Sequence, residues 1–324
     1  MSASSVASSA ASSVARWRWL VGALVLALVV WQVGSESVVA GLRALDAGVV
    51  ALGLGVTLVT TAACAWRWQL VARELGVAIE LPTAVAACYR AQLLNTVLPG
   101  GVLGDVHRGL VHGRSTGETG RALRAVGWER FAGQVVQALL ALVVLLLLPS
   151  PVRAALPWAL AVVVMAVIGV VLLVRHTPER PTWWSRVARV VRDDITLALL
   201  VRRSWPGIVV ASVVAVAGHL TTYVVAARAV GVSAPVTTLV PLAVVVLVVA
   251  AVPLNLAGWG PREGIAAWVF AAAGLGAGTG VATAVAYGAI VLVANLPGVV
   301  VLLRARGPER ARVIHVEAGG RARA

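Results

Sequence analysis

The sequence predicts an all-α fold: a polytopic membrane helix bundle with about seven or eight spans and two broken or re-entrant helical segments. Of the 324 residues, 60% are hydrophobic and only 12% are charged, and long apolar runs recur along the chain. Soluble domains average about 25% charged residues. The polar surface is therefore too small to cover a soluble core of this size, and the excess apolar surface has to face lipid.

The basic charge of the chain is distributed as in a membrane protein. The net charge is +14, and the 27 basic residues are all Arg. In a soluble protein such a charge would suggest nucleic acid. Here the arginines lie between apolar runs, as cytoplasmic positive charge does, so we expect no nucleic-acid partner. Cys64 and Cys88 show no metal or redox spacing, so we expect no metal and no cofactor.

The chain divides into a membrane domain, 16–305, between two tails. Residues 1–15 are almost entirely Ser, Ala and Val, which predicts a disordered tail. Arg16 and Arg18 then precede a long apolar run. We interpret this run as an uncleaved first span, because no clean signal-peptide cleavage site follows and more spans come after it. Residues 306–324 are interpreted as a basic cytoplasmic tail.

Apolar length predicts the spans. A crossing helix needs about 20 mostly apolar residues. The predicted spans are 19–39, 48–66, 131–149, 156–174, 207–227, 236–252 and 281–303. Two segments, 83–98 and 262–275, are shorter or interrupted. Asn295-Leu296-Pro297-Gly298 predicts a kink in the last span.

The distribution of arginine predicts the topology. Both termini, the segment with Arg67 and Arg73, the stretch 105–130 and the loop 175–203 are basic. These parts all lie on the cytoplasmic side of the inner membrane if 83–98 dips in and returns to the same side. We therefore predict a re-entrant element there. The loop 175–203 is either an interfacial amphipathic helix or an ordinary positive-inside loop.

In the first broken segment, an apolar helix containing Arg90 and Asn95 runs into Pro99-Gly100-Gly101 and then into a charged cluster with Asp105 and Arg108. Proline cannot continue the helix, and glycine allows backbone geometry that other residues resist. The pattern predicts that the helix ends at membrane depth.

The second broken segment follows the same pattern. Asn255 precedes Gly258-Trp259-Gly260-Pro261, and Arg262 and Glu263 open the next helix. Pro261 suits the first turn of that helix. The Leu-Asn pair before each break hints at an internal repeat.

Two such breaks favour a transport site, because irregular backbone occurs at membrane depth only where it is buried in protein or lines a wet cavity. A helix that begins after a break directs N–H groups at an anion. Arg90, Arg108 and Arg262 would hold phosphate, and Asn95 and Asn255 would bond the headgroup or freed backbone. Asp105, Glu129 and Glu263 would balance the arginines or contact a cationic headgroup. The alternative is that each break is only a packing kink.

Other polar residues allow two interpretations. Glu129-Arg130 opens the span at 131, with Gln134 and Gln137 following. The pair is either part of a membrane-embedded site or a simple ion pair at the interface. We interpret His219, inside an apolar span, as a hydrogen-bonded core residue.

The two segments resemble the lysylphosphatidylglycerol synthase/flippase integral-membrane domain family, also called flippase-like proteins. The resemblance covers roughly 15–305. It rests on residues and motifs in and near the two broken segments: Arg90, Asn95, Pro99-Gly100-Gly101, Gly104-Asp105, Arg108, Glu129-Arg130, Pro253 and Gly258 to Gly264. It implies a multi-helix domain that, in bifunctional members, moves aminoacylated phospholipid across the membrane. Those members also carry a soluble aminoacyl-transferase domain. The chain ends at Ala324, so lipid lysylation is not expected.

The leading hypothesis is a non-enzymatic lipid translocase acting on a phospholipid or lipid-phosphate carrier, with membrane lipids as its partners. One alternative is a membrane transferase with Asp105 or Glu263 as base. Another is an accessory subunit with no site of its own. The sequence contains no Walker loop, Gly-x-Ser-x-Gly elbow or Cys-His pair, which disfavours the common enzyme classes.

Overall fold

Every regular element that the structure describes is helical. This computed structural model describes residues 35–98, 101–175, 183–199, 201–251 and 260–304. The α-helices are α1 Ser35–Arg43, α2 Ala47–Glu74, α3 Leu81–Val97, α4 Leu103–Thr116, α5 Thr119–Leu147, α6 Leu156–Arg175, α7 Trp183–Asp194, α8 Trp205–Ala229, α9 Val236–Ala250, α10 Pro261–Ala272, α11 Ala277–Asn295 and α12 Pro297–Arg304. The predicted all-α class is confirmed.

Several helical stretches within these ranges match the predicted spans. Five are long and apolar enough to cross a membrane: Ala47–Glu74, Thr119–Leu147, Arg153–Leu172, Trp205–Ala229 and Ala277–Leu303. Helix α9 is apolar but shorter, with 15 residues. The predicted polytopic bundle is therefore confirmed. The predicted first span is described only from Ser35 onward, and both predicted tails lie outside the described residues.

Helices α2 and α5 are longer than their predicted spans. The predicted span 48–66 ends before Arg67, and the predicted span 131–149 begins after Arg130, because charged residues usually mark the water interface. In the structure, Arg67 binds Glu129 inside the bundle, with Nη2 2.5 Å from Oε1. Neither residue therefore needs to reach the interface, and both helices continue through these charges. The prediction that Glu129-Arg130 opens a span is wrong.

The first broken segment forms a re-entrant hairpin. Helices α3 and α4 lie antiparallel: Gly104, just after the break, packs against the backbone of Ala91, and Arg108 reaches Cys88 Sγ at 3.3 Å. Gly101 in the connection has φ +61°, which glycine adopts without steric cost. The chain thus returns toward the end from which α3 started, as predicted. Pro99 and Gly100 lie outside the described residues.

The second break separates α9 from α10. Residues 252–259, which include Asn255 and Gly258, lie outside the described residues. Gly260 has φ +109°, and α10 begins at Pro261. Helices α10 and α11 are antiparallel and close, because Gly280 packs against Ala266 of α10.

The last predicted span is divided where a kink was predicted. Helix α11 ends at Asn295, and α12 begins at Pro297. Helix α12 packs back onto α3, where Gly298 lies against the backbone of Tyr89. The side chain of Asn295 donates a hydrogen bond of 3.1 Å to Thr96 Oγ1 of α3. These contacts connect the end of the chain's last span to the re-entrant hairpin.

The basic loop contains the amphipathic helix α7. Its terminal residue Asp194 accepts hydrogen bonds from Arg124 Nε at 2.8 Å and Trp128 Nε1 at 2.7 Å, both on α5. Trp183 and Val187 are exposed. The structure therefore favours a defined amphipathic helix over an irregular loop, and its position at the membrane surface stays a prediction.

Two apolar clusters hold the bundle together. One joins α2, α3, α5 and α8 around Trp68 and Val71. The other joins α8, α9, α10 and α11 around Tyr223 and Phe270. Helix α8 belongs to both clusters, and it lies antiparallel to α2 because Gly207 contacts Leu70 and Gly218 contacts Thr60. A cavity is formed where the helices of the two clusters meet.

Replacing Gly104 by alanine should destabilise the hairpin. A Cβ there would lie 2.0 Å from the Ala91 carbonyl oxygen, so α3 and α4 would have to separate. Overpacking of this kind costs about 1–3 kcal/mol, and we expect a lower thermal unfolding midpoint in detergent. Gly127→Ala is the matched control, because a Cβ at that position of α5 meets nothing within 4 Å. Equal midpoints for both variants would contradict the packing described.

Candidate functional site

Both broken segments contribute to one cavity of about 550 Å³ in the bundle. Asn95, Gly101 and Asp105 reach it from the first segment, and Arg262 reaches it from the second. Helices α2, α5, α8 and α11 complete its walls. The charged and polar lining residues are Thr57, Thr60, Cys64, Arg67, Cys88, Gln92, Asn95, Thr96, Asp105, Arg108, Glu129, Arg130, Gln134, Gln137, Ser212, His219, Arg262, Tyr287 and Asn295.

Five charged side chains form a continuous ionic chain along this cavity. The order is Arg67, Glu129, Arg108, Asp105, Arg130, so that every carboxylate lies between two guanidinium groups. The two Glu129 contacts are both 2.5 Å, and the Arg108–Asp105 contact is 3.0 Å. The first four side chains are at most 10% exposed. Buried charges are tolerated in protein when they are paired in this way.

Arg67 and Arg108 are held by several partners each. Arg108 donates to Asp105, Cys88 and Glu129 through its three nitrogens, and its guanidinium lies 4.7 Å from the centre of the Trp68 ring. Arg67 donates to Glu129 through two nitrogens and to Ser212 Oγ at 2.9 Å through the third. Both residues therefore serve first to position the two carboxylates.

Arg130 is the exposed end of the ionic chain. One of its nitrogens donates to Asp105 Oδ2, while the side chain is 42% exposed. Its other N–H groups make no hydrogen bond with any residue in the described ranges. The neighbouring Gln137 donates to the Leu247 carbonyl at 3.1 Å and thereby ties α5 to α9. Of the five charged residues, Arg130 is thus best placed to bind an incoming anion.

Asn95 makes two hydrogen bonds across the first break. Its Oδ1 accepts a hydrogen bond of 2.8 Å from the backbone N–H of Gly104, and its Nδ2 donates to Asp105 Oδ2 at 2.6 Å. The side chain thus satisfies a backbone group at the start of α4 and orients the carboxylate that holds Arg130. Asn95 therefore bonds the freed backbone, one of the two roles predicted for it.

Arg262 and Glu263 form a buried pair at the second break. Glu263 Oε1 accepts from two nitrogens of Arg262 at 2.9 and 2.5 Å, and its Oε2 accepts from the Gly260 N–H at 2.6 Å. The Arg262 guanidinium lies 5.4 Å from the centre of the Tyr287 ring. The absence of a side chain at Gly288 leaves room for it.

The helix N-termini at the two breaks are occupied by the protein itself. We expected their N–H groups to point at a ligand, but Gly104 donates to Asn95 and Gly260 donates to Glu263. For these two N–H groups the expectation is wrong, since side chains of the chain already cap them. These two N–H groups are therefore not available to an anion, whereas the arginine side chains of the cavity can make such a contact.

A second, mostly apolar chamber of about 380 Å³ adjoins the polar cavity between α5, α8 and α9. It shares Arg130, Gln134, Gln137, His219 and Tyr287 with that cavity. Its remaining lining is aliphatic and includes Leu140, Val144, Val213, Leu220 and Val248. Val213 in this lining is 38% exposed.

Some of the predicted site residues line the cavity and others do not. Asn95, Gly101, Asp105, Arg108, Glu129, Arg130 and Arg262 line the cavity, while Gly260 and Glu263 hold Arg262 from behind. Pro99, Gly100, Asn255 and Gly258 lie outside the described residues. Arg90 is buried but does not line the cavity. Its position on α3 is turned away from Cys88 and Asn95, which line the cavity, so its side chain lies on another face of the helix.

Arg67 is the main residue that the sequence interpretation missed. It was assigned to the cytoplasmic positive charge, although it occupies the centre of the bundle. A signal was present: Thr57, Thr60, Cys64 and Arg67 recur at intervals of three or four residues and line the cavity together. Such spacing puts them on one face of a helix, and a polar stripe on an otherwise apolar helix indicates an interior face.

His219 is hydrogen-bonded, as predicted, but it is not enclosed in an apolar core. Its Nδ1 lies 3.1 Å from the Tyr287 hydroxyl, and both residues line the two chambers. The pair joins α8 to α11 across the boundary between the polar and apolar spaces.

Replacing Glu129 by glutamine should destabilise the protein strongly. The change leaves Arg67 and Arg108 buried without their shared counter-charge, and breaking a buried ion pair costs about 3–5 kcal/mol. We expect a large fall in the thermal unfolding midpoint. Glu118→Gln removes the same charge from an exposed pair at 3.8 Å, which is worth at most about 1 kcal/mol, and serves as the control. Similar midpoints for the two variants would refute the role of the ionic chain.

Comparison with known proteins agrees with this architecture. The sequence profile of one family, described as the lysylphosphatidylglycerol synthase TM region, matches residues 14–298. Comparisons with curated proteins and with solved structures gave no match. The matched range contains both broken segments and the whole ionic chain, in a helical bundle with several long apolar spans. The chain is thus a multi-pass membrane protein, and it belongs to the lysylphosphatidylglycerol synthase TM region family.

Proposed function

We propose that this chain is a lipid translocase of the cytoplasmic membrane that moves a lipid with a phosphate-bearing headgroup from one leaflet to the other. The observation that carries the proposal is a single positively charged cavity, built jointly by both broken segments and continuous with an apolar chamber. Both termini are cytoplasmic in this proposal, following the arginine distribution.

The polar cavity matches the requirement for moving a headgroup. A charged or hydrogen-bonding group crosses hydrocarbon at a cost of several kcal/mol unless partners replace its water. Arg130 supplies a guanidinium for phosphate, and Gln134, Gln137 and Asn295 supply further polar groups. Charge-assisted hydrogen bonds between guanidinium and phosphate are among the stronger ones in proteins.

The apolar chamber suits the hydrocarbon chains of the same lipid. It shares a boundary with the polar cavity at Arg130, His219 and Tyr287. A lipid bound with its phosphate at Arg130 directs its hydrocarbon past that boundary, between α5, α8 and α9. Because Val213 is exposed at this wall, the hydrocarbon remains in contact with the bilayer, which lowers the cost of transfer.

The structure offers less support for the alternative functions. A transferase needs a carboxylate available as a base, whereas Asp105 accepts from Asn95, Arg108 and Arg130. Glu263 is likewise occupied by Arg262 and the Gly260 N–H. An accessory subunit has no need of a buried ionic chain lining a cavity.

Replacing Arg130 by alanine should slow lipid translocation. Purified protein is reconstituted in vesicles, and the flipping of phosphatidylglycerol with a fluorescent acyl chain is followed by quenching of the outer leaflet. A hydrogen bond to a charged group contributes about 1.5–3 kcal/mol, so we expect a rate at least about tenfold lower. Arg262→Ala should also lower the rate, because it disrupts the second break.

Arg121→Ala is the matched control for this experiment. Arg121 lies on the same helix as Arg130 but is 52% exposed and is paired with the exposed Glu118. It should keep the wild-type rate. Size-exclusion profiles of all variants check folding. Wild-type rates for both cavity variants, with folding intact, would reject the proposed function.

A further inference from the structure

We propose that the cavity selects a lipid whose headgroup carries one negative charge and no amine, which is the chemistry of a simple phosphodiester lipid. This inference rests on the proposed function in taking a membrane lipid as the ligand. The number and the pairing of the charges around the cavity support it.

The ionic chain carries one excess positive charge. It contains three arginines and two carboxylates, and it begins and ends with arginine. The nearby Arg262–Glu263 pair is neutral as a unit. Residues 99–100 and 252–259, outside the described ranges, contain no ionisable side chain, so they do not alter this count. With His219 neutral, the charged groups that the structure describes at the cavity carry a net charge of +1.

The excess charge is accessible at only one end of the ionic chain. Arg67 at the other end is 9% exposed and is bound by Glu129 and Ser212, whereas Arg130 is 42% exposed. A single phosphodiester group bound at Arg130 therefore neutralises the excess charge of the ionic chain. A phosphomonoester carries about −1.5 to −2 charges at pH 7, and its second charge finds no equivalent partner among the described lining residues.

A headgroup amine finds no counter-charge either. Both oxygens of Glu129 accept from arginines, as does Asp105 Oδ1. Asp105 Oδ2 accepts from Asn95 and Arg130. The Glu263 oxygens accept from Arg262 and from the Gly260 N–H. A zwitterionic or cationic headgroup would therefore leave the excess positive charge of the described site uncompensated. The site thus disfavours aminoacylated and zwitterionic headgroups.

The test measures lipid retention by native mass spectrometry. The full chain is equilibrated with an equimolar mixture of phosphatidylglycerol, phosphatidic acid, phosphatidylethanolamine, phosphatidylcholine and lysylphosphatidylglycerol, all with identical acyl chains. We expect phosphatidylglycerol to be retained at least about tenfold over the lipids that contain an amine or choline, and about threefold or more over phosphatidic acid. Soluble glycerophosphoglycerol should not displace it, because the apolar chamber binds the chains.

Two substitutions change the charge count in opposite directions. Arg130→Gln brings the net charge to zero and should remove the preference for phosphatidylglycerol over phosphatidylcholine. Asp105→Asn raises it to two and should shift retention toward phosphatidic acid. Arg121→Gln changes the total charge of the protein outside the cavity and should leave the selectivity unchanged. Intact folding is checked by size exclusion.

The outcomes separate this inference from the proposed function. Retention of phosphatidic acid or of an amine-containing lipid at or above the level of phosphatidylglycerol would overturn the inference, as would selectivity that does not respond to either cavity variant. Displacement by the soluble headgroup would also overturn it, since the ligand would then be a free phosphodiester. Selective retention without vesicle flipping would reject transport while keeping the inference. Vesicle flipping without a headgroup preference would keep the proposed transport function and overturn the inference about the headgroup.

Discussion

The bridge that Glu129 forms between Arg67 and Arg108 is the interaction on which the rest of the structure depends. One buried carboxylate on α5 binds a guanidinium from α2 and another from α4, each at 2.5 Å. It therefore connects the re-entrant hairpin to two long helices of the bundle. The bridge also determines the position of Asp105, because Arg108 donates to both carboxylates. Asp105 in turn holds Arg130 at the cavity surface.

Small residues make room for these charges inside a membrane bundle. The guanidinium of Arg67 lies where a side chain at Gly133 would be, and that of Arg262 lies where one at Gly288 would be. The hairpin depends on Gly104 in the same way. Helices in lipid associate through close packing and polar contacts, since the hydrophobic effect does not drive them together. Glycine at these positions serves both needs, because it brings backbones together and leaves space for a large polar group.

The sequence predicted the five long apolar helices and the re-entrant hairpin because these follow from apolar length and from helix-breaking residues. It did not predict the ends of α2 and α5, since charge usually marks the interface and Arg67 and Glu129 neutralise each other 62 positions apart. Pairing over such a separation is decided by tertiary packing. The helical face of Arg90 was missed for a related reason. Membership of a broken segment places a residue near the site, but its rotation about the helix decides whether it lines the cavity.

The excess charge of the cavity has a consequence for the molecule without ligand. A net positive charge inside a helical bundle raises the free energy of the protein without ligand, while the paired carboxylates reduce this cost but do not cancel it. Replacing either carboxylate or adding one would change the balance by a full charge. In the proposed function, a ligand that neutralises Arg130 would stabilise the folded bundle by mass action, and the contact that binds its phosphate would also support the ionic chain. Asp105 would then couple binding to folding, because it joins Arg130 to the buried network.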